Sequence, residues 1–372
     1  MRLLFLDSIE ASVYGGMEEW IRLVASGLRS RRHLVTVAGR PQSVLFERIS
    51  SIDREVELLP LNISGDFNPL TIAAIVRYIE RNRVEVVVVN FNKDLRLGGL
   101  AAKLEGAAKV IWSAGLDITK DNLIHRFLTP KLMDGAIVPS ESLKTQIIRH
   151  GYIDPELVQV IPIGIPDIDG LSRSEAQTLL RQKYQLSADS LIAVTSGRFV
   201  EQKGHRYLIE AAVLLRDRFP NLRYLWCGSG PLQAELKALA RTAGFEDRIL
   251  FAGMLADLQL ELAGADLMIH PSIEEPFGIA VLEGMRAGLP IVASRIGGIP
   301  EVLGESYAYL VETRKPEGIS EAVSSVLTNA GGAKSTGEAL RNRFLEQFTL
   351  ERMLDRVEAY LNSQIHVERQ RG

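Results

Sequence analysis

The stretch Asp266–Ser294, DLMIHPSIEEPFGIAVLEGMRAGLPIVAS, reads as a complete strand–loop–helix–strand unit. DLMIH is an apolar run of strand length. The loop PSIEEPFG follows, then an apolar segment of helical character from about Gly278 to Ala287, which Gly288 and Pro290 stop. PIVAS restarts a strand. Two apolar strands joined through a helix make a parallel pair. Two glutamates, Glu275 and Glu283, stand before and inside the helix.

The same alternation runs through the chain. RLLFLDS, LVTVAG, EVVVVNF, AKVIWSAG and DGAIVPS read as buried strands, with MEEWIRLVASGLRSR, PLTIAAIVRYIERNR and RLGGLAAKLEG as helices between them. The Pro-, Gly- and Asp-rich segment VIPIGIPDIDG (160–170) breaks the pattern. LIAVTSG restarts it, followed by LRYLWCGSG, RILFAGM and the opening stretch, and a last helical segment covers about 349–367. With 372 residues, one small core is excluded. The pattern predicts an α/β protein with two doubly wound parallel-sheet domains, residues 1–165 and 166–345, and a C-terminal helix within 346–372. Ligands of such folds sit beyond the carboxyl ends of strands, so two sets of loops would face each other across a cleft.

Composition narrows the class. Apolar residues make up 46% and charged residues 24%, and the net charge is −3, which gives no footprint for nucleic acid. The single cysteine, Cys227, excludes an internal disulfide and reads as a packed thiol. The N-terminal apolar run is too short for a signal-peptide core and no run approaches a membrane span, so a cytoplasmic location is the expectation.

Three glycine loops follow strands. Gly15 and Gly16 precede a helix opening with Glu18 and Glu19; they serve either a close ligand approach or a tight turn. In TSGRFVEQKGH, Arg198 and Lys203 put two cations in one strand-end loop, an arrangement that suits a diphosphate, although solvated surface cations would look the same. It is not a P-loop, because Lys203 precedes Gly204 and His205. Gly228 opens a further turn, a plain one or an approach for a base. The amides of Phe277, Gly278 and Ile279 lie at a helix N-terminus, which favours phosphate. Glu283 follows roughly 7–8 Å further along the axis, where it could accept hydrogen bonds from ribose hydroxyls. A glycosidase acid/base pair is the rival reading of the two glutamates, but a diphosphate loop has no role there.

These motifs carry a resemblance. GRFVEQKGHRYLIEA, FAGM and HPSIEEPFGIAVLEGMRAGLPIVASRIGGIPEVL resemble the donor half of the family 4 glycosyltransferases (group 1), which have the GT-B fold of two Rossmann-like domains. Glu275 and Glu283 meet the family's Glu-x7-Glu signature. The likeness is strong over about 191–310 and continues more weakly through YGGMEE, VPSESLKTQIIRHG and VQVIPIGIP. It implies retaining, metal-independent transfer from a nucleotide sugar, with a UDP-sugar the commonest donor and no cofactor. Arg198 and Lys203 would bind the diphosphate, Glu283 the ribose and Glu275 the donor sugar. The amides of Phe277, Gly278 and Ile279 would serve sugar and phosphate, and Gly16 would approach the diphosphate from the other domain. The C-terminal helix would return to the N-terminal domain.

The N-terminal half departs from the family. Ala114 stands where a His is expected, and Asn90 and Asn92 where His is common. Asn90, Asn92, Lys93, Asp94 and Asp117 are candidates for the acceptor side, or ordinary loop residues. A non-catalytic or regulatory GT-B protein that binds a nucleotide sugar is therefore the alternative; a two-lobed binding protein fits less well, given the diphosphate loop. The Asp167–Asp169 pair of DID reads as linker. Enzymes of the family that build lipopolysaccharide core or other surface glycans imply a glycan or glycolipid acceptor and contact with the inner membrane face. The basic RSRRH (Arg29, Arg31, Arg32) and the mixed TKDNLIHRFLTPKL, with Lys120, Leu123, Ile124, Arg126, Phe127, Leu128 and Lys131, are candidates for that contact; the second reads equally as a lid or packed helix beside the acceptor.

Overall fold

The computed structural model describes residues 1–369 except 13, 119–121, 169 and 256. Among the described residues, thirteen strands form two parallel sheets. The chain divides into two compact units, Met1–Gly164 with Leu350–Gly372, and Ile165–Thr349. Phe348 and Thr349 thus belong with the second unit, a few residues beyond the expected boundary at 345.

The first unit holds β1 (Arg2–Asp7), β2 (Leu34–Gly39), β3 (Glu57–Pro60), β4 (Val86–Val89), β5 (Lys109–Ser113), β6 (Gly135–Val138) and β7 (Val158–Val160), in the order β3-β2-β1-β4-β5-β6-β7. The second holds β8 (Leu191–Ser196), β9 (Leu222–Cys227), β10 (Ile249–Gly253), β11 (Leu267–His270), β12 (Ile291–Ser294) and β13 (Leu310–Val311), in the order β10-β9-β8-β11-β12-β13. Every pairing is parallel. Central strands such as Val86–Val89 and Leu267–His270 are buried at every position, which is why they read as unbroken apolar runs. β3, β7 and β13 escaped that reading. They are short, and most of their residues are half-buried or exposed, so little apolar signal marks them.

Strand order reverses between β1 and β4 in the first unit and between β8 and β11 in the second. Loops after these four strands are therefore where each unit would take a ligand. The C-terminal helix Leu350–Arg369 packs on the first unit. Arg31 pairs with Asp355 and Glu358, each at 2.8 Å, and His33 reaches Glu358 at 2.7 Å. Leu354 fills the space beside Gly27. Arg29 pairs with Glu55 at 3.2 Å. Two of the three arginines of RSRRH are thus paired with acids of their own unit. Asp167 is gripped by Arg341 at 2.6 and 2.9 Å, in keeping with a linker role; Asp169 lies outside the described residues.

Candidate functional site

In the second unit the site is built from two loops that are joined to each other. β8 runs out at Ser196, and residues 197–204 form the loop before the helix His205–Leu215. β11 ends at His270, and residues 271–278 lead to the helix Ile279–Arg286. The amide of Ile273 donates to the Gln202 carbonyl at 2.8 Å. Gly204 makes the close approach possible. Its φ is +65°, and a Cβ there would lie 2.0 Å from the Pro271 carbonyl oxygen. Beneath the loop, Phe199, His205, Trp226 and Phe251 form an aromatic cluster with ring centroids 4.9–6.2 Å apart. Such pairs add about 0.5–1.5 kcal/mol each beyond the area they bury, so the loop rests on a stiff base. His205 is buried among them, and burial, with the charges of His270 and Lys203, pushes its imidazole down to about 3.

The joined loops bring Lys203 onto Glu275. Lys203 Nζ lies 2.5 Å from Glu275 Oε2, and His270 Nε2 lies 3.0 Å from the same oxygen. Ser272 Oγ is 3.0 Å from His270 Nε2. Burial alone would push the Glu275 carboxyl up; the His270 hydrogen bond and the Lys203 charge overrule it and hold it at about 2. Glu275 is thus an anion with two partners on one oxygen. The loop Arg295–Gly298 backs it, with the Gly298 amide donating to the Glu275 carbonyl at 3.2 Å. Arg198, on the same loop as Lys203, is exposed and has no carboxylate partner among the described residues.

The helix Ile279–Arg286 starts one residue later and ends one residue earlier than the spacing predicts. Gly278 caps it with left-handed backbone and no side chain caps it, so its first amides stay available to an anion. Phe277 is buried against Phe348, with centroids 6.2 Å apart, and so anchors the helix start. Glu283 is four residues beyond Ile279, roughly 6 Å along the axis. Its charge reaches Cys227, a buried thiol that burial pushes up to about 12, with Glu261 and then Glu283 adding to the rise. Glu283 is half-buried, and Gly228 begins the turn after β9. Gly228 is packed against Gly197: a Cβ would lie 1.9 Å from the Gly197 carbonyl oxygen. That contact accounts for the glycine as a turn within the unit.

The first unit gathers polar groups at its own reversal point. Gly15 precedes the helix Gly16–Ser30, and its amide donates to Glu18 Oε2 at 2.6 Å, so a carboxylate of the chain already occupies this helix start. Gly16 is exposed. Asp7 ends β1, and Asp94 follows β4; both are buried. Burial, and for Asp7 also the Asp94 charge, push both carboxyls well above the usual range. Asn90 is buried beside Asp7 in the continued register of Leu6 with Val89. Asn92 and Lys93 are half-buried on the short turn Asn92–Asp94.

Asp94 itself receives the Phe91 amide at 3.0 Å and has no exposure, so the fold uses it as an internal cap rather than as a surface group for an acceptor. Asp117 is paired with Arg149 at 2.9 Å and His150 at 3.1 Å, apart from the others. Ala114 is buried in the apolar core of the first unit. Sequence reasoning missed His270 as a partner of Glu275, Ser272 as a partner of His270, and Asp7 as the charged neighbour of Asp94. Polar residues ending otherwise apolar strands were the available signal.

On the helix Leu123–Leu132, Leu123 and Phe127 are exposed, and Lys131 Nζ sits 3.6 Å from the Phe127 ring centre. Leu128 instead packs on the core, which corrects its place in the proposed patch. Lys120 lies outside the described residues. Among the described residues no helix is long and apolar enough to cross a membrane.

Two family models match the chain, Glycosyl transferases group 1 over residues 176–343 and Glycosyltransferase Family 4 over residues 14–167. An uncharacterised glycosyltransferase of Methanocaldococcus jannaschii is 31% identical over 200 residues, 52% of this chain and 51% of that protein. The chain spans about half the length of the first such relatives it matches. The UDP-Gal:alpha-D-GlcNAc-diphosphoundecaprenol alpha-1,3-galactosyltransferase of Escherichia coli is 24% identical over 316 residues, 81% of each chain. HepE of Anabaena, solved in complex with UDP, superposes with a TM-score of 0.83 at 20% identity, over 98% of this chain and 100% of that one. With two parallel Rossmann-like sheets, the Glu-x7-Glu spacing from the loop after β11 into the helix that follows, and both halves matched in order, the chain belongs to the group 1, family 4 glycosyltransferases of GT-B fold.

Proposed function

We propose that the protein transfers a sugar, with retention and without a metal or other cofactor, from a nucleoside-diphosphate sugar to a glycan or lipid-linked glycan. The observation that carries this is the joining of Lys203 and Glu275 beside an uncapped helix start, with Arg198 exposed on the same loop. Arg198, Lys203 and the first amides of Ile279–Arg286 supply positive potential for a diphosphate, and this potential gains in value as the C1–O bond breaks and charge grows on the leaving phosphate. Glu275, held anionic, is suited to the positive charge that develops on the sugar ring. The acceptor hydroxyl adds to C1, and its proton leaves with the departing phosphate, so no protein nucleophile is needed. Glu283, in the second turn, is suited to the ribose hydroxyls.

UDP is the nucleotide we favour, because HepE was solved with UDP. The name of the Escherichia coli relative supports a lipid-linked acceptor, which would bring the protein to the cytoplasmic face of a membrane. Leu123, Phe127 and Lys131 suit that contact.

One observation favours the second reading, a binder that does not transfer: on the first unit, Ala114 is apolar core and Asp117 is tied to Arg149 and His150. A thermal-shift screen of UDP-, GDP- and ADP-sugars, followed by an assay for nucleotide release, separates the two. Stabilisation by one sugar nucleotide with release of its nucleoside diphosphate is the expected result. Binding with neither transfer nor hydrolysis would overturn the enzyme reading.

A further inference from the structure

Lys203 is given the donor diphosphate in the reading above, yet in the protein it is already engaged by Glu275 at 2.5 Å. The ammonium keeps two further N–H donors, but the carboxylate offsets its charge, so it attracts a second anion less strongly. A diphosphate that draws it away is opposed by the carboxylate left behind. Glu275 is largely buried, and an isolated buried carboxylate is costly. Opening the pair is therefore cheap only if another group continues to hold the charge.

We infer that His270 is that group: a positioning residue that shares the charge of Glu275 and so releases Lys203 to the donor. His270 Nε2 lies 3.0 Å from the same Oε2 that receives Lys203. An ionised carboxylate only accepts hydrogen bonds, so Nε2 carries the hydrogen. Ser272 Oγ, 3.0 Å from Nε2, stands on the same side as a second oxygen. His270 is buried at the end of β11, a rigid strand, and need not move when Lys203 leaves. The backbone need not move either, because Ile273 and Gln202 keep the two loops joined. Only the flexible stem of Lys203 swings. His270 thus acts through Glu275 and Lys203 rather than by touching the donor, and the inference rests on the donor-site reading above.

The test is a double-mutant cycle on the full chain, with Kd values for UDP, GDP and ADP measured by calorimetry. His270→Leu leaves Lys203 as the sole partner of Glu275, and the nucleotide that the wild type binds should bind about 10-fold more weakly, within the usual range of coupling between sites. In a Glu275→Gln background there is no charge to share, and adding His270→Leu should change the Kd by less than about 2-fold. His270→Gln, which keeps an N–H donor near Nε2, should restore most of the loss. If His270→Leu does not fold, His270→Asn, polar but too short to reach Glu275, takes its place in the cycle. An equal loss in both backgrounds would mean that His270 only supports the loop, and would overturn the inference while leaving the donor site intact. A wild type that binds none of the three nucleotides would overturn the donor-site reading itself, and the inference with it.

Discussion

Gly204→Ala tests whether the joining of the two loops holds the site together. Any L-residue at a φ of +65° costs about 1–2 kcal/mol relative to glycine. At Gly204 the added Cβ would also lie 2.0 Å from the Pro271 carbonyl oxygen, a backbone atom on an adjoining loop, so the loops must part. Parting them strains the 2.8 Å bond from the Ile273 amide to the Gln202 carbonyl, about 1 kcal/mol, and withdraws Lys203 from Glu275. The sum is about 3 kcal/mol. Gly253→Ala is the control in the same unit: its φ is +74° and a Cβ there meets nothing within 4 Å, so only the backbone cost of about 1–2 kcal/mol remains. For a domain of 150–250 residues each kcal/mol shifts Tm by about 2–4 °C, which puts the expected losses at about 10 °C and about 5 °C. Differential scanning calorimetry measures both, and calorimetric titration with UDP should show weakened binding only for Gly204→Ala. Equal Tm losses, or unchanged nucleotide binding in Gly204→Ala, would refute the claim that this contact builds the site.

Glu283→Ala should weaken nucleotide binding about 10-fold, the loss of a bidentate charge-assisted contact, whereas Glu275→Ala should cut turnover by about 100-fold with little loss of UDP affinity; Kd and kcat measured side by side check the split. Asp7 and Asp94 are raised in the folded protein, so they contribute stability below the ordinary carboxylate range that is lost as pH rises through their elevated values. Asp94→Asn should therefore flatten the fall of Tm between pH 5 and 9, and a variant that falls as steeply as the wild type would contradict the burial argument. Leu123→Ser with Phe127→Ser should abolish binding to anionic liposomes while moving Tm by about 1 °C or less, since both side chains are exposed; liposome flotation reads the first and a thermal melt the second.

The family, the fold class and the central strands were legible in the sequence because buried parallel strands and their helices impose local patterns: Val86–Val89 and Leu267–His270 are apolar at nearly every position. The Glu-x7-Glu spacing was legible for the same reason, since a helix of known pitch fixes how far Glu283 stands from its start. What pairs with what was not legible. Lys203 and Glu275 are far apart in the chain and meet only because β8 and β11 are neighbours in the sheet and Gly204 lets their loops touch. His270 looked like the end of a strand until the fold put its Nε2 on the oxygen that Lys203 holds. Asp94 looked like a loop residue and proved to be a buried cap beside Asp7, from a strand nearly ninety positions earlier. Periodicity is a local property and survives in the sequence. The partners of a charge are set by strand order and by which backbones approach, and only the tertiary structure decides those.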